Sequence, residues 1–310
     1  SLVKHLLYLK EISKDQINKI LEKADSFLVT KNVIEDKNKI MRGLSLANLF
    51  YEPSTRTRGS FHIAAKRLGA EIFNFDDKMS SSEKGETILD TIFTLESMGI
   101  NYFVIRHVET GIHTMISEKV SNNSHIISAG EGDVSHPSQG LLDLFTIKKS
   151  KGDFTRLKIV ILGDIQHSRV ARSLAEGLNT MSVGQLILVA PEYFKPNMEH
   201  FPCAEYTDNI VNGLEGADVV MTLRIQNERM TQSRSNFDIK DYFNNYGLTT
   251  ERLEACNDSV IIMHPGPMNR GVEITDNVAD GERSVIREQV SNGIAVRMAL
   301  LSIMQDQANK

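Results

Sequence analysis

The stretch Tyr51-Glu52-Pro53-Ser54-Thr55-Arg56-Thr57-Arg58 joins a strand pattern to a helix pattern. Residues 44–50 before it are almost continuously apolar, as in a buried strand. After it, apolar residues from Phe61 to Leu68 recur at helical spacing, and Gly69 stands where a helix would stop. The proline, hydroxyl residues and arginines of the stretch therefore fall at the N-terminus of a predicted helix.

Such a helix N-terminus is suited to an anion. Its backbone N–H groups and the positive end of the helix dipole attract negative charge. Arg56 adds a planar pair of donors that matches phosphate oxygens, and the neighbouring hydroxyl groups add neutral donors. Each residue alone could be an ordinary helix cap or a surface arginine. Together they predict a phosphate site.

The composition limits the classes of function. A chain of 310 residues is longer than one hydrophobic core usually organises, so two domains of about 150 residues are expected. The hydrophobic content of 41% and the charged content of 24% are ordinary for a globular protein. The formal net charge of −5 gives no general affinity for nucleic acid or anionic membranes, so phosphate recognition must be local.

Cysteine usage and hydropathy indicate a cytoplasmic protein. Cys203 and Cys256 are the only cysteines, and their separation suits neither a disulfide framework nor a cysteine-built zinc site. The sequence shows no signal-peptide pattern, and no apolar run approaches the ~18 residues of a membrane helix. We therefore expect a reducing compartment and no membrane contact.

Helix and strand patterns alternate along the chain and restart after Lys151-Gly152-Asp153. The predicted strands are 44–50, 71–75, 101–106, 125–128, 157–162, 185–189, 218–222 and 259–263. The predicted helices are 14–29, 56–68, 86–98, 111–120, 138–149, 167–178 and 285–305. This alternation predicts an α/β fold of two doubly wound parallel-sheet domains, with an active-site cleft between the domains.

Residues 76–85 form a polar connection that is longer than most strand-to-helix loops. It could be a surface tether, or a lid that carries residues into a site.

In the first half, three candidates lie at the ends of predicted strands. Arg106 ends one strand, His136 follows another, and the phosphate stretch (residues 51–58) follows a third. Although a lone histidine is more often structural, three strand ends would present Arg56, Arg106 and His136 toward one point.

The second half carries arginines at strand ends without clustered hydroxyl groups. Arg169 follows the strand that ends at Gly163, and Arg224 with Gln226 follows another strand. The glycines of a dinucleotide fingerprint and of a nucleotide triphosphate loop are both lacking. The two halves therefore suit two different anionic substrates. The remaining arginines, such as Arg283 and Arg287, are expected to be solvated.

These motifs occur in the order found in the carbamoyltransferase family. They are Ser54-Thr55-Arg56-Thr57-Arg58, Lys84-Gly85-Glu86-Thr87, Arg106-His107, His136-Pro137-Ser138-Gln139, Gly163-Asp164 with Arg169, Thr222-Leu223-Arg224-Ile225-Gln226 and His264-Pro265-Gly266-Pro267. The chain resembles this family over almost its whole length, and within it the members that use aspartate. The resemblance implies carbamoyl transfer from carbamoyl phosphate to the α-amine of L-aspartate, giving N-carbamoyl-L-aspartate and phosphate in pyrimidine synthesis.

The resemblance implies roles for individual residues. The carbamoyl phosphate set is Ser54, Thr55, Arg56, Thr57, Ser80, Lys84, Arg106, His136, Gln139, Gly266 and Pro267. Its catalytic members would be Arg56, Thr57, Lys84, Arg106 and His136. The aspartate set is Lys84, Arg169, Arg224 and Gln226, helped by backbone at Gly266 and Pro267. Glu52 and Arg229 match positions that link the two domains when they close.

The resemblance also implies an organisation. Residues 1–137, completed by the C-terminal helix 290–310, would bind carbamoyl phosphate, and residues 138–289 would bind aspartate. Ser80 and Lys84 match residues that enter the site of a neighbouring subunit, which implies a homotrimer and gives the long loop a function. Regulatory or dihydroorotase subunits are possible further partners. No metal or cofactor is expected, because the departing phosphate can accept the proton of the amine.

Two alternatives stay open. Ornithine carbamoyltransferases share the phosphate motif, but they have Cys-Leu-Pro where this chain has Pro265-Gly266-Pro267. Arg224 would also repel the cationic side chain of ornithine. A catalytically silent scaffold with this fold is the second alternative, against which the intact donor set argues. Val108, Ser138 and His167 depart from common family residues, and His167 leaves one aspartate contact open.

Overall fold

The computed structural model describes residues 4–75, 84–226 and 237–310. The chain divides into two compact units, Ser1–Phe145 with Val290–Lys310 and Thr146–Gln289. The first division falls inside the helix Pro137–Lys151, and the second falls inside the helix Ile286–Ala308. The chain therefore leaves the first unit through one helix and returns to it through the other. No helix in the described ranges is long and apolar enough to cross a membrane.

The first unit is built on a parallel sheet. Its strands are β3 (Ser45–Phe50), β4 (Glu71–Phe75), β5 (Tyr102–His107) and β6 (His125–Glu131), in the spatial order β4-β3-β5-β6. Its helices are α1 (Lys14–Ser26), α2 (Thr55–Arg67), α3 (Gly85–Ser97) and α4 (Ile112–Lys119), with parts of α5 (Pro137–Lys151) and the C-terminal α11 (Ile286–Ala308). A short antiparallel hairpin, β1 (Leu28–Val29) and β2 (Asn32–Val33), precedes the sheet.

Burial explains why these segments form a parallel sheet. All seven residues of β6 are buried, and β3 is buried from Leu46 to Phe50. Such continuous burial is typical of strands that are covered on both faces. Phe50 pairs with Arg106 at the end of the β3–β5 ladder, so the carboxyl ends of these two strands share one edge of the sheet.

The second unit repeats the arrangement with five parallel strands. They are β7 (Lys158–Leu162), β8 (Gln185–Val189), β9 (Ala204–Thr207), β10 (Val219–Thr222) and β11 (Ile261–Met263), in the order β11-β10-β7-β8-β9. The helices are α6 (Arg169–Thr180), α7 (Ile210–Leu214), α8 (Ile239–Tyr246), α9 (Thr250–Leu253) and α10 (Asp276–Ala279). The predicted α/β fold with two parallel sheets is confirmed. Strand β9 and the hairpin β1–β2 were not predicted.

His5 makes part of the first unit sensitive to acid. Its Nδ1 accepts the backbone N–H of Ile126 at 2.9 Å. Burial, with smaller contributions from Lys4 and His125, lowers the pKa of His5 from 6.5 to about 4. Because the folded state resists protonation, the unfolded state binds this proton first. Stability should therefore fall as the pH drops from about 6.5 toward 4.

We expect His5→Asn to weaken this pH dependence, because the amide oxygen can accept the same hydrogen bond without titrating. Between pH 7 and pH 4.5, the variant should lose about 1–2 kcal/mol less unfolding free energy than the wild type, after allowance for partial exposure of the ring. Urea unfolding at both pH values measures this difference. His200→Asn, at an exposed histidine, is the control. Equal losses in all three proteins would contradict the prediction.

Candidate active site

The phosphate stretch adopts the predicted turn from a strand into a helix. Ser54 is the N-cap of α2, with extended backbone angles of φ −162° and ψ 100°, and its hydroxyl oxygen accepts the backbone N–H of Thr57 at 3.3 Å. Thr55 and Arg56 are exposed, whereas Thr57 is buried. The first turn of α2 contains no acidic residue. This helix end therefore combines the dipole with hydroxyl and guanidinium donors, and no carboxylate of its own first turn competes.

Arg106 lies beside this helix end. Its Nε donates to Glu52 Oε1 at 3.2 Å, and the two side chains are only 15% and 17% exposed. The backbone N–H of Tyr51 donates to the carbonyl of Arg106 at 2.9 Å, which continues the β3–β5 ladder by one residue. Glu52 thus holds a guanidinium group at the sheet edge where α2 begins. Arg106 therefore contacts a residue of the stretch 51–58, and its convergence with Arg56 and His136 stays a prediction.

His136 lies beside the N-terminal turn of α2. Its Nε2 lies 3.4 Å from Thr57 Oγ1, and both side chains are buried. One turn along α5, Gln139 is also buried, and its Nε2 donates to Asp143 Oδ1 at 3.2 Å. The first unit therefore brings a hydroxyl and an imidazole together at the N-terminal turn of α2, and a buried amide lies one turn further along α5.

The loop that leads to His136 is held by a buried carboxylate. Glu131 at the end of β6 accepts the hydroxyl of Tyr8 at 3.0 Å and the backbone N–H of Gly111 at 3.3 Å. Gly132 follows with φ +48°, and a Cβ atom there would lie 2.9 Å from the carbonyl oxygen of Val108. Only glycine fits this close approach. These contacts hold the start of the short loop that leads to His136.

Arg297 corrects the expectation that the remaining arginines are solvated. This side chain on α11 is 3% exposed, and its Nη1 donates to Ser60 Oγ at 3.1 Å. The guanidinium carbon lies 5.1 Å from the centre of the Phe61 ring. Burial lowers the pKa of Arg297 to about 10, and the nearby carboxylate of Asp143 partly offsets that effect. A buried cation therefore lies between α2 and α5, the two helices that carry the phosphate and carbamoyl candidates.

The second unit assembles its candidates at one sheet edge. Strands β11, β10 and β7 are parallel neighbours, so the segments that follow them emerge on the same side. Arg169 begins α6 behind a Ser168 cap, Arg224 and Gln226 follow β10, and Gly266 follows β11. All four are partly exposed. Strand order therefore favours the predicted grouping of these residues, which stays a prediction.

Gly163 shows how tightly this edge is packed. Its φ is +130°, and a Cβ atom would lie 3.2 Å from the hydroxyl of Tyr242 and 3.3 Å from the Cβ of Leu223. Tyr242 is fully buried, and burial raises the pKa of its hydroxyl well above the ordinary value. The sequence analysis noted Gly163 only as the residue at the end of a strand. The structure shows that glycine is needed there for close packing against Tyr242 and Leu223.

Some predicted residues are not brought into the groups above. Lys84 is exposed and directly precedes α3. Pro267 is exposed in the turn after β11, next to Gly266, and the peptide bond between them is cis. Ser80 and Arg229 lie outside the described residues. The predicted link between Glu52 and Arg229 therefore stays a prediction, and Glu52 contacts Arg106 instead.

Some residues around the site were missed from the sequence. Asp143 is one, although it lies four residues after the predicted Gln139 on the same helix, a spacing that could have been recognised. Arg297 offered no such signal, because its partners Ser60 and Phe61 are distant in sequence. Within the described ranges, no group of three or more His, Cys, Asp or Glu side chains is placed to hold a metal ion.

Two parallel α/β units with cationic and hydroxyl donors after their strands are suited to anionic substrates. The chain belongs to the aspartate/ornithine carbamoyltransferase family. Residues 4–149 match the carbamoyl-phosphate-binding domain of that family, and residues 155–304 match its aspartate/ornithine-binding domain.

Individual relatives distinguish the two branches of the family. The aspartate carbamoyltransferase catalytic subunit of Legionella pneumophila (strain Corby) is 46% identical over 96% of this chain and 98% of its own. The ornithine carbamoyltransferase structure from Pyrococcus furiosus superposes with a TM-score of 0.86 at 26% identity, covering 97% of both chains. The Trypanosoma cruzi aspartate transcarbamoylase complex with carbamoyl aspartate and phosphate gives 0.83 at 27%, covering 96% of this chain and 95% of its own. The shared fold does not separate the branches, whereas sequence identity favours aspartate.

Proposed function

We propose that this chain transfers the carbamoyl group of carbamoyl phosphate to the α-amine of L-aspartate. The products are N-carbamoyl-L-aspartate and phosphate, and the step belongs to de novo pyrimidine synthesis. The observation that carries the proposal is the 46% identity to an aspartate carbamoyltransferase catalytic subunit over nearly the full length of both chains. The arginines at the second sheet edge support it, because a dicarboxylate substrate needs two cationic partners.

Carbamoyl phosphate is assigned to the first unit. The N-terminus of α2, with Ser54, Thr55 and Arg56, receives the phosphate group, and Arg106 adds a second guanidinium. Thr57 and His136, whose polar atoms are 3.4 Å apart, donate to the carbamoyl oxygen. Gln139 holds the carbamoyl nitrogen, and the Asp143 carboxylate fixes its amide. All of these donors belong to the first unit, and this supports their assignment to one substrate.

Aspartate is assigned to the second unit. Arg169, Arg224 and Gln226 bind its two carboxylates, and backbone groups at Gly266 and Pro267 contribute to both substrates. Lys84 and Ser80 complete the site from the segment before α3. We further propose that Glu52 and Arg229 act in domain closure, as their positions in the family pattern imply.

The reaction proceeds by attack of the neutral amine on the carbamoyl carbon. The tetrahedral centre carries negative charge on the former carbonyl oxygen, which Thr57, Arg106 and His136 stabilise. Loss of one such donor typically costs about 10²–10³ in rate. The leaving phosphate accepts the proton of the amine, so the chain needs no dedicated base. Holding both reactants in register supplies an effective molarity on the order of 10⁵ M or more.

The decisive experiment compares two acceptors. Purified protein is incubated with carbamoyl phosphate and either L-aspartate or L-ornithine, and each carbamoylated product is quantified. We expect turnover with aspartate and none above background with ornithine. Turnover with ornithine would move the chain to the other branch of its family. No turnover with either amino acid would favour the silent scaffold.

His136 offers a test of the donor role. His136→Ala should lower kcat by about 10²–10³, because one donor to the oxyanion is lost. The acid limb of the pH profile of kcat should keep its position, because His136 does not take the proton. His200→Ala, at an exposed histidine, should leave both unchanged. Disappearance of the acid limb in His136→Ala would instead identify a general base.

We also propose a homotrimer in the cytoplasm with active sites shared between subunits. Edge strand β4 exposes Phe73 and helix α3 exposes Phe93, and these elements flank the segment that carries Ser80 and Lys84. Exposed aromatic side chains at such places are typical of subunit contacts. Both cysteines are free thiols, which suits a reducing compartment.

Light scattering should give three times the 34.7 kDa of the chain. Mixing inactive Arg106→Met with inactive Lys84→Ala chains should restore part of the activity if Lys84 acts in a neighbouring site. A monomeric mass or the absence of complementation would contradict shared sites. Regulatory or dihydroorotase subunits stay possible partners, and co-purification from the native cell tests for them.

A further inference from the structure

A buried polar cluster lies beneath the loops that follow β10 and β11. His264 and Glu273 are both fully buried, and His264 Nε2 lies 3.0 Å from Glu273 Oε1. The same oxygen accepts the backbone N–H of Asn269 at 2.9 Å. Asn269 Nδ2 in turn donates to the carbonyl oxygen of Ile225 at 2.6 Å. Nothing in the carbamoyl transfer step uses Glu273 directly.

The hydrogen bonds of His264 fix where its proton lies. The backbone N–H of Gly266 donates to His264 Nδ1 at 2.8 Å, so Nδ1 must carry a lone pair. The ring proton therefore lies on Nε2 and is donated to Glu273. His264 is thus a neutral imidazole in one tautomer, which shapes the turn from 264 to 266 at one end and engages a carboxylate at the other.

This cluster reaches the aspartate-binding candidates through the backbone. Ile225 stands between Arg224 and Gln226, so a bond to its carbonyl oxygen sets the plane of the peptide that joins Ile225 to Gln226. The turn that contains Gly266 is tied to the same carboxylate through His264. Glu273 therefore links both loops of one sheet edge. The Glu273 carboxylate holds His264 and the Asn269 backbone by charge-assisted bonds, and the loop after β10 is attached to this group through the neutral bond from Asn269 to Ile225.

We propose that Glu273 is a positioning residue that orients Arg224, Gln226 and the Gly266 turn for the second substrate. This inference rests on the proposed function, since it takes aspartate as that substrate. Glu273 does not touch the substrate. It acts through His264 and Asn269, which both belong to the second unit. The KM for carbamoyl phosphate should change far less than the KM for aspartate, because only the backbone of the Gly266 turn contributes to carbamoyl phosphate from this unit.

The test compares Glu273→Ala with Glu273→Gln. The alanine variant removes the acceptor, and we expect the KM for aspartate to rise at least tenfold while the KM for carbamoyl phosphate stays within twofold. The glutamine variant keeps an oxygen for both donors, so its KM for aspartate should stay within threefold of the wild type. Its second terminal atom becomes a buried N–H donor in place of Glu273 Oε2, so its Tm should fall even so.

Two further variants separate positioning from general stability. Leu214→Ala, which leaves a cavity in the core of the same unit, should lower Tm without changing the KM for aspartate. Asn269→Ala should raise that KM, and the double variant with Glu273→Ala should raise it no further. An unchanged KM for aspartate in Glu273→Ala, or equal rises for both substrates, would overturn the inference while the proposed function stands. A wild-type protein with no carbamoyl transfer to aspartate would overturn both.

Discussion

Replacing Arg106 with methionine should lower kcat/KM for carbamoyl phosphate by about 10²–10⁴. In the proposed complex, this guanidinium contacts the phosphate and the carbamoyl oxygen, so two charge-assisted hydrogen bonds of roughly 1.5–3 kcal/mol each are lost. Methionine keeps much of the length and the apolar stem. Steady-state kinetics at saturating aspartate measures the effect.

The Arg106 prediction has a matched control in the same unit. Arg42 is an exposed arginine that precedes β3, at the end of the strand opposite to Arg106. Arg42→Met therefore removes the same charge away from the N-terminal turn of α2. Its kcat/KM should stay within about twofold of the wild type, in line with the small effect of exposed charges. Glu52 loses its contact with Arg106 in the first variant. A Tm within a few degrees of the wild type is therefore required before the loss is assigned to substrate binding. Near-normal turnover in Arg106→Met would remove Arg106 from the site.

The parts of the fold that were predictable are those in which one short segment contains the whole signal. β3 and β6 are buried along almost their entire length, and such strands appear as apolar runs in the sequence. Ser54 is recognisable as a helix cap from its neighbours alone. Strand β9 was missed because its four residues are half-buried or exposed at the sheet edge, with no apolar run.

The candidate site divides in the same way. Donors at strand ends could be predicted, since parallel order brings the carboxyl ends of strands to one edge. The residues that hold these donors in place could not be predicted. Arg297 comes from α11 to lie against Phe61 of α2, and no local pattern encodes that contact. Glu273 depends on the turn that places the Asn269 N–H against its carboxylate. The sequence therefore indicated the groups that are proposed to contact substrates more readily than those that hold them in place.

Arg297 is a residue whose burial has a cost in folding free energy. Its guanidinium is fully desolvated, and Nε and Nη2 have no hydrogen-bond partner among the described residues. Burying such a charge opposes folding unless strong pairing compensates. Asp143, the carboxylate that offsets part of the effect of burial on the pKa of Arg297, also accepts the Gln139 amide. The burial of Arg297 is therefore not explained by a gain in stability.

Replacing Arg224 with methionine should raise the KM for aspartate by about 10²-fold and leave the KM for carbamoyl phosphate within about twofold. The variant loses the cation that pairs with one carboxylate of aspartate, a charge-assisted interaction of roughly 2–3 kcal/mol. Because Arg224 follows β10 in the second unit, the phosphate site at the N-terminus of α2 keeps its donors. Initial-rate measurements with each substrate varied in turn separate the two constants.

The control for Arg224 is Arg156, an exposed arginine that precedes β7 at the opposite end of the same sheet. Arg156→Met makes the same change in net charge, so any loss from weaker long-range attraction of the dianionic substrate appears in both variants. A loss that is confined to Arg224→Met and persists in 0.5 M salt identifies direct pairing, because salt screens distant charges more than contacts. If both variants lose affinity equally, or if the KM for carbamoyl phosphate rises as much as that for aspartate, Arg224 does not bind the second carboxylate. The assignment of aspartate to the edge formed by β7, β10 and β11 would then be wrong.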